Sequence, residues 1–128
     1  VHLAMADLVT GINPTLGAVW GGQYPVAEIS GGFHVGFDDM RSGTGLGSNT
    51  NARMGHYLFL GTNAAGAGNG NSLTPNQAQR IDTKLDDGVP DTGSVFDDGG
   101  CLVDSGGVNI YDEANQAVAC DIWIRFQS

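Results

Sequence analysis

The stretch LTPNQAQRIDTKLDDGVPDTGSV, residues 73–95, decides how the rest of the chain is read. Thr74, followed by Pro75 and then Gln77, has the form of a capping box with proline at the first helical position. Ala78, Ile81 and Leu85 recur at i, i+3 and i+7 as one apolar face, while Arg80, Asp82 and Lys84 point elsewhere. Gly88 suits the C′ position, and Pro90 prevents the helix from resuming. The spacing predicts a helix of about twelve residues that stops at a carboxylate-rich turn. Those carboxylates are either a site or architecture.

Outward from this helix the periodicity shortens. GFHVGFDD, residues 32–39, alternates Phe33, Val35 and Phe37 against His34 and Gly36, as a half-buried strand does. HYLFLGT, residues 56–62, is an apolar run suited to a strand buried on both faces. GSVFDD and GVNIY read as short strands. ACDIWIRFQS alternates Cys120, Ile122, Ile124 and Phe126 against Asp121, Trp123, Arg125 and Gln127. Residues 1–10 place Val1, Met5, Leu8 and Val9 on one helical face, with Gly11 as a stop. Turn signals fill 12–31, a Gly, Ser and Asn loop spans 40–55, and NAAGAGNGNS reads as a surface loop. The expected fold is α+β: a mainly antiparallel sheet with one or two short helices, in a single domain over residues 1–128.

Composition narrows the function. A chain of this size buries roughly 65–70% of its unfolded surface, enough for a core without a metal. The 14 acidic residues outnumber the 5 basic ones, for a net charge of −9. Nucleic acid is therefore excluded as an expected partner, because phosphate binding needs clustered Lys and Arg. No segment approaches about 18 consecutive apolar residues, so no membrane contact is expected from this segment. Cys101 and Cys120 lack C-x-x-C spacing. A disulfide in an oxidising, extracytoplasmic compartment is expected, the alternative being two buried thiols.

Three constellations could carry chemistry. CLVDSGGV, residues 101–108, resembles the nucleophile region of trypsin-like serine proteases. Val103 replaces the glycine needed there, Val108 replaces the proline, and no histidine has the required context, so DSGG reads as a hairpin turn. His34 and His56 lie on predicted strands and could be neighbours, but no third ligand with diagnostic spacing accompanies them or His2. Calcium is the better metal expectation: Asp86, Asp87, Asp91, Asp97, Asp98 and Asp104 concentrate within nineteen residues, interleaved with Gly, Ser and Thr, against solvated turn aspartates. An EF-hand is excluded, since a loop starting at Asp82 has Lys84 third and Asp87 sixth, where glycine is required.

The opening stretch resembles the C-terminal part of type IV pilins and type II secretion pseudopilins, the prepilin-type family. Many members carry LTP and then IDxKxDDGxPxTGxV. Ile81, Asp82, Lys84, Asp86, Asp87, Gly88, Pro90, Thr92, Gly93 and Val95 match that phrase, as do Cys101, Tyr111 and the Ala119–Cys120 pair. VHLAMADLVTG, YPVAEISGGFHVGF and HYLFLGT resemble further segments, so the likeness covers nearly the whole chain. It implies a non-catalytic, exported filament subunit whose globular head packs outside a long N-terminal helix. Its partners would be other copies of itself or related subunits, at the cell surface, or in the periplasm for a secretion pseudopilus. The GFTLIE-type leader and long helix of that family do not occur here, so Val1 is expected to fall inside the globular head. A fragment, or one half of a split pilin whose helix is a separate chain, fits that departure. The resemblance also implies calcium first at Asp97, Asp98 and Asp104 and second at Asp86 and Asp87. The competing expectation is a secreted calcium- or glycan-binding module.

Overall fold

The computed structural model describes residues 13–38, 51, 53–62, 70–97 and 100–127. The helix expected over 1–10, most of the loops expected over 40–55 and 63–72, His2 and Asp98 lie outside the described residues. The described elements are a 3-10 turn (Pro14–Leu16), β1 (Gly32–Asp38), β2 (Gly55–Gly61), α1 (Pro75–Leu85), β3 (Val95–Asp97), β4 (Leu102–Asp104), β5 (Asn109–Tyr111) and β6 (Ile122–Gln127). Four strands form an antiparallel sheet in the order β1-β2-β6-β3, and β4 and β5 form a separate hairpin. This is the expected α+β, mainly antiparallel architecture.

Helix α1 starts where its capping box requires. The Thr74 hydroxyl accepts the Gln77 N–H at 3.4 Å, and Gln77 Oε1 accepts the Thr74 N–H at 2.9 Å. Its buried stripe departs from expectation at one end. Pro75, Ala78 and Asp82 are buried and Ile81 is partly so, whereas Leu85 is 58% exposed. Leu85 is the last helical residue, where the chain turns away. Asp82 takes the inward place because Tyr111 and Gly88 donate to its carboxylate.

Residues directly opposite in neighbouring strands share a face, which divides the sheet cleanly. Phe33 pairs with Leu60, Leu60 with Ile122 and Ile122 with Asp97; Val35, Leu58, Ile124 and Val95 form the next row of that face. Here Leu60, Val95 and Ile122 join Ala78 of α1, Tyr111 of β5, Leu73 and both cysteines in the main core. The other face carries a second cluster, Tyr57, Phe59, Phe96 and Trp123, with Phe59 and Trp123 ring centroids 4.6 Å apart.

Strand β6 was expected to bury one face only. Trp123 is buried as well as Ile122, because β6 is an interior strand with clusters on both sides. In β2 the expected burial on both faces holds for Tyr57, Phe59 and Leu60 but not for His56, which is exposed. The main-core face also stops short. Val35, Phe37 and Phe126 are each between 56% and 58% exposed, so the inward row predicted for β1 is covered only at its Phe33 end.

Cys101 and Cys120 form a buried disulfide with a Cα–Cα distance of 4.9 Å. Cys120 also exchanges both backbone hydrogen bonds with Leu73, at 3.0 and 3.1 Å, fixing the residue before the helix cap against the start of β6. The bridge closes a loop with a sequence separation of 19. Chain entropy alone makes it worth about 3 kcal/mol. Replacing both cysteines by alanine should therefore lower the unfolding free energy by about that amount, measured by urea denaturation. The parent should also resist thiol labelling until unfolded and reduced.

A candidate functional site at the carboxylate turn

The segment following α1 is built from carboxylates that accept from the backbone just beyond them. Asp82 Oδ2 accepts the Tyr111 hydroxyl at 2.9 Å, and Asp82 Oδ1 accepts the Gly88 N–H at 3.2 Å. Asp86 Oδ2 accepts the N–H groups of Ser94 and Val95. Asp87 accepts the Val89 N–H at 2.9 Å and the Thr92 hydroxyl at 2.6 Å. The side chains of the turn thus satisfy donors that no helix or strand supplies with partners.

Two glycines make this closure possible. The helix ends at Leu85 with Asp86 as its C-cap, so Gly88 falls one residue beyond the C′ position expected for it. With φ at 76° it turns its N–H onto the Asp82 carboxylate rather than onto a helical carbonyl. Gly93, at φ 70°, lies so close to Asp86 that any Cβ would overlap the carboxylate. Only glycine satisfies both constraints there.

The electrostatics follow from burial. Desolvation pushes the Asp82 carboxyl up to about 6, opposed by the hydrogen bonds from Tyr111 and Gly88. The charges of Asp87 and Asp86 push it further in the same upward direction. Burial also raises Tyr111, and the adjacent Asp82 charge adds to that, so the phenol stays protonated and serves as a donor.

Asp82, Asp86 and Asp87 each offer an oxygen within 4.8 Å of the others. The structure therefore brings Asp86 and Asp87 together, with Asp82 as the third member that sequence reading did not include. The signal was present: positions 82 and 86 are one helical turn apart, and Asp82 lies on the stripe of Ala78. Asp97 and Asp104 join neither residue in a cluster of three among the described residues. Asp97 is buried in β3 beside the disulfide, whose sulfurs are spent on each other. Asp104 opens the β4–β5 turn, where its Oδ1 accepts the Gly107 N–H at 2.8 Å and the Ser105 N–H reaches the Val108 carbonyl at 2.8 Å. DSGG is the hairpin turn anticipated from its composition.

The histidines do not meet. His34 pairs with Phe59 and His56 with Phe37, which places them on opposite faces of the sheet. Their rings contact aromatic neighbours instead, Tyr24 at 5.1 Å for His34 and Phe37 at 5.3 Å for His56. Among the described residues, no helix is long and apolar enough to cross a membrane. Comparison with known proteins finds no matching family model, no matching curated protein and no matching solved structure.

Linkage gives this site a pH signature. Because the folded-state value of Asp82 lies above its unfolded value, its contribution is fully present in acid and is lost as pH rises through about 6. Tyr111→Phe removes a donor that stabilises the ionised form. The loss should be about 2 kcal/mol near pH 8, where Asp82 is charged, and nearer about 1 kcal/mol around pH 5. Urea denaturation at both values checks this, and an equal loss at both would count against the assignment.

Proposed function

We propose that the chain is the outer globular domain of a pilin-like filament subunit, a structural and non-catalytic protein of the cell surface or periplasm. The observation that carries this reading is the uncovered end of the sheet. Val35 and Phe37 of β1 and Phe126 of β6 are exposed on either side of His56 in β2, with Phe37–His56 and His56–Phe126 ring centroids 5.3 and 6.2 Å apart. An apolar strip of this kind, continuous with the main core, suits coverage by an amphipathic helix. Val1, Met5, Leu8 and Val9 are spaced as one face of such a helix.

Two further observations support it. The residues shared with the prepilin-type phrase have architectural roles here: Asp82, Asp86, Asp87, Gly88 and Gly93 close the turn, and Pro90 and Val95 are buried. The disulfide fits an exported protein. The partners would be further copies of the subunit or related ones, or a helix supplied by a separate chain.

A second reading, a secreted calcium- or glycan-binding module, is favoured by the convergence of Asp82, Asp86 and Asp87. Oxygen ligands on sharp turns suit calcium, and Asp86 Oδ1 is not used by the hydrogen bonds that close the turn. The other oxygens already accept protein donors, which is why this reading stands second.

The two readings separate experimentally. Phe37→Asp, introduced into the complete gene, should abolish filaments seen by negative-stain microscopy while leaving the unfolding midpoint of the domain unchanged. Normal filaments in that variant, or a protein found only as free monomer, would remove the filament reading. For calcium, a free ion at about 100 times its dissociation constant should stabilise the domain by about 2.7 kcal/mol. Chelator should reverse that gain and Asp86→Asn should eliminate it. An unfolding temperature unmoved by millimolar calcium would dismiss the metal.

A further inference from the structure

Two of the 5 basic residues of this acidic chain line one cavity. Arg53 and Arg125 border an open, polar hollow of about 410 Å³ together with Asn51, Thr92, Gly93 and Ser94. Neither guanidinium has a carboxylate partner among the described residues. Arg125 donates from Nη2 to the Met54 carbonyl at 3.3 Å, but its Nε–H is buried with no acceptor. Arg125 Nη1 and the Arg53 guanidinium make no hydrogen bond among the described residues, and these are the donors left for a ligand.

The walls are fixed independently of any ligand. The buried Tyr57 hydroxyl donates to the Arg53 carbonyl at 2.5 Å, and the Arg125 N–H donates to the Ser94 carbonyl at 2.7 Å. Asp86 and Asp87 hold the Thr92–Ser94 wall through the Ser94 N–H and the Thr92 hydroxyl. Neither carboxylate forms an ion pair with Arg53 or Arg125 among the described residues. Preorganised donors of this kind lower the cost of binding.

We propose that this cavity binds a sugar-sized, polar molecule through a carboxylate or phosphate group. Guanidinium forks match planar and tetrahedral oxyanions bidentately, and two of them on one cavity distinguish an anion from a neutral sugar. The volume lies within the range of about 300–1,000 Å³ typical of small-molecule sites and exceeds what a bare oxyanion fills. The net charge of −9 opposes an approaching anion, which places the expected affinity in the millimolar range. The site is independent of filament assembly, since none of its lining residues belongs to the exposed apolar strip.

Nuclear magnetic resonance of the labelled protein tests this through the Nε–H resonance of Arg125, titrated with glucuronate, glucose 6-phosphate and glucose. The two anions should produce saturable shifts and glucose none, and the tighter of the two identifies the preferred oxyanion. Arg53→Gln should weaken anion binding about tenfold with an otherwise unchanged spectrum, since among the described residues only the Arg53 carbonyl, not its side chain, takes part in a hydrogen bond. Failure of both anions to saturate at millimolar concentration would overturn the assignment. So would equal shifts from glucose, or full affinity in Arg53→Gln.

Discussion

The hydrogen bond from Tyr111 to Asp82 lies inside the core and closes a circuit through the whole domain. It joins α1 to β5. Strand β5 pairs with β4, which begins immediately after Cys101, and the disulfide carries the connection to Cys120. Cys120 is paired with Leu73, the residue just before the helix cap, and so the circuit returns to α1. A buried carboxylate is tolerated there only because both its oxygens have donors, and the second donor, Gly88, is what turns the chain toward β3. Removing one member leaves the others with groups that water cannot reach, which makes the network cooperative.

That circuit explains why the phrase around Asp82 reads so plainly in the sequence. Its helix is dictated locally at its start, by Thr74, Pro75 and Gln77, and local signals survive tertiary packing. Strands β1 and β6 were legible for the same reason, through their period-2 alternation, and β2 as an apolar run, whereas β4 carried no strand signal. What could not be read was which side chains the neighbours would cover. Phe37 and Phe126 have the same character as Phe33 and Ile122, and only the position of the helix over one end of the sheet separates them. Asp82 was misplaced because a carboxylate on an apolar stripe is ordinarily a surface residue, and its phenol partner is distant in sequence. The grouping of acidic residues failed for a similar reason. Nearness in sequence put Asp97 and Asp104 with Asp86 and Asp87, whereas a strand and a hairpin carry them apart.

The sheet has two different characters. On the main-core side aliphatic residues pack against the helix, the hairpin and the disulfide. On the other side four aromatic side chains, Tyr57, Phe59, Phe96 and Trp123, pack in tilted and edge-on geometry. Arg125 lies on that second side, in register with Tyr57, at the point where a bulge between His56 and Tyr57 shifts the pairing. The irregularity re-aims the end of β6, so Phe126 reaches the exposed strip while Arg125 reaches the cavity. One strand terminus therefore serves both surfaces from which function is argued.

The covalent bridge has a mechanical consequence as well as a thermodynamic one. Under tension applied through the ends of the domain, a chain lengthens as its segments peel away. The stretch between Cys101 and Cys120, a separation of 19 residues, cannot contribute to that lengthening while the bond is intact. At about 3.5 Å per extended residue, roughly 65 Å of contour is withheld from any pulling force. The hairpin, Tyr111 and the entry to β6 all lie in or beside the shielded loop. An unfolding trace recorded before and after reduction would therefore differ in length as well as in force.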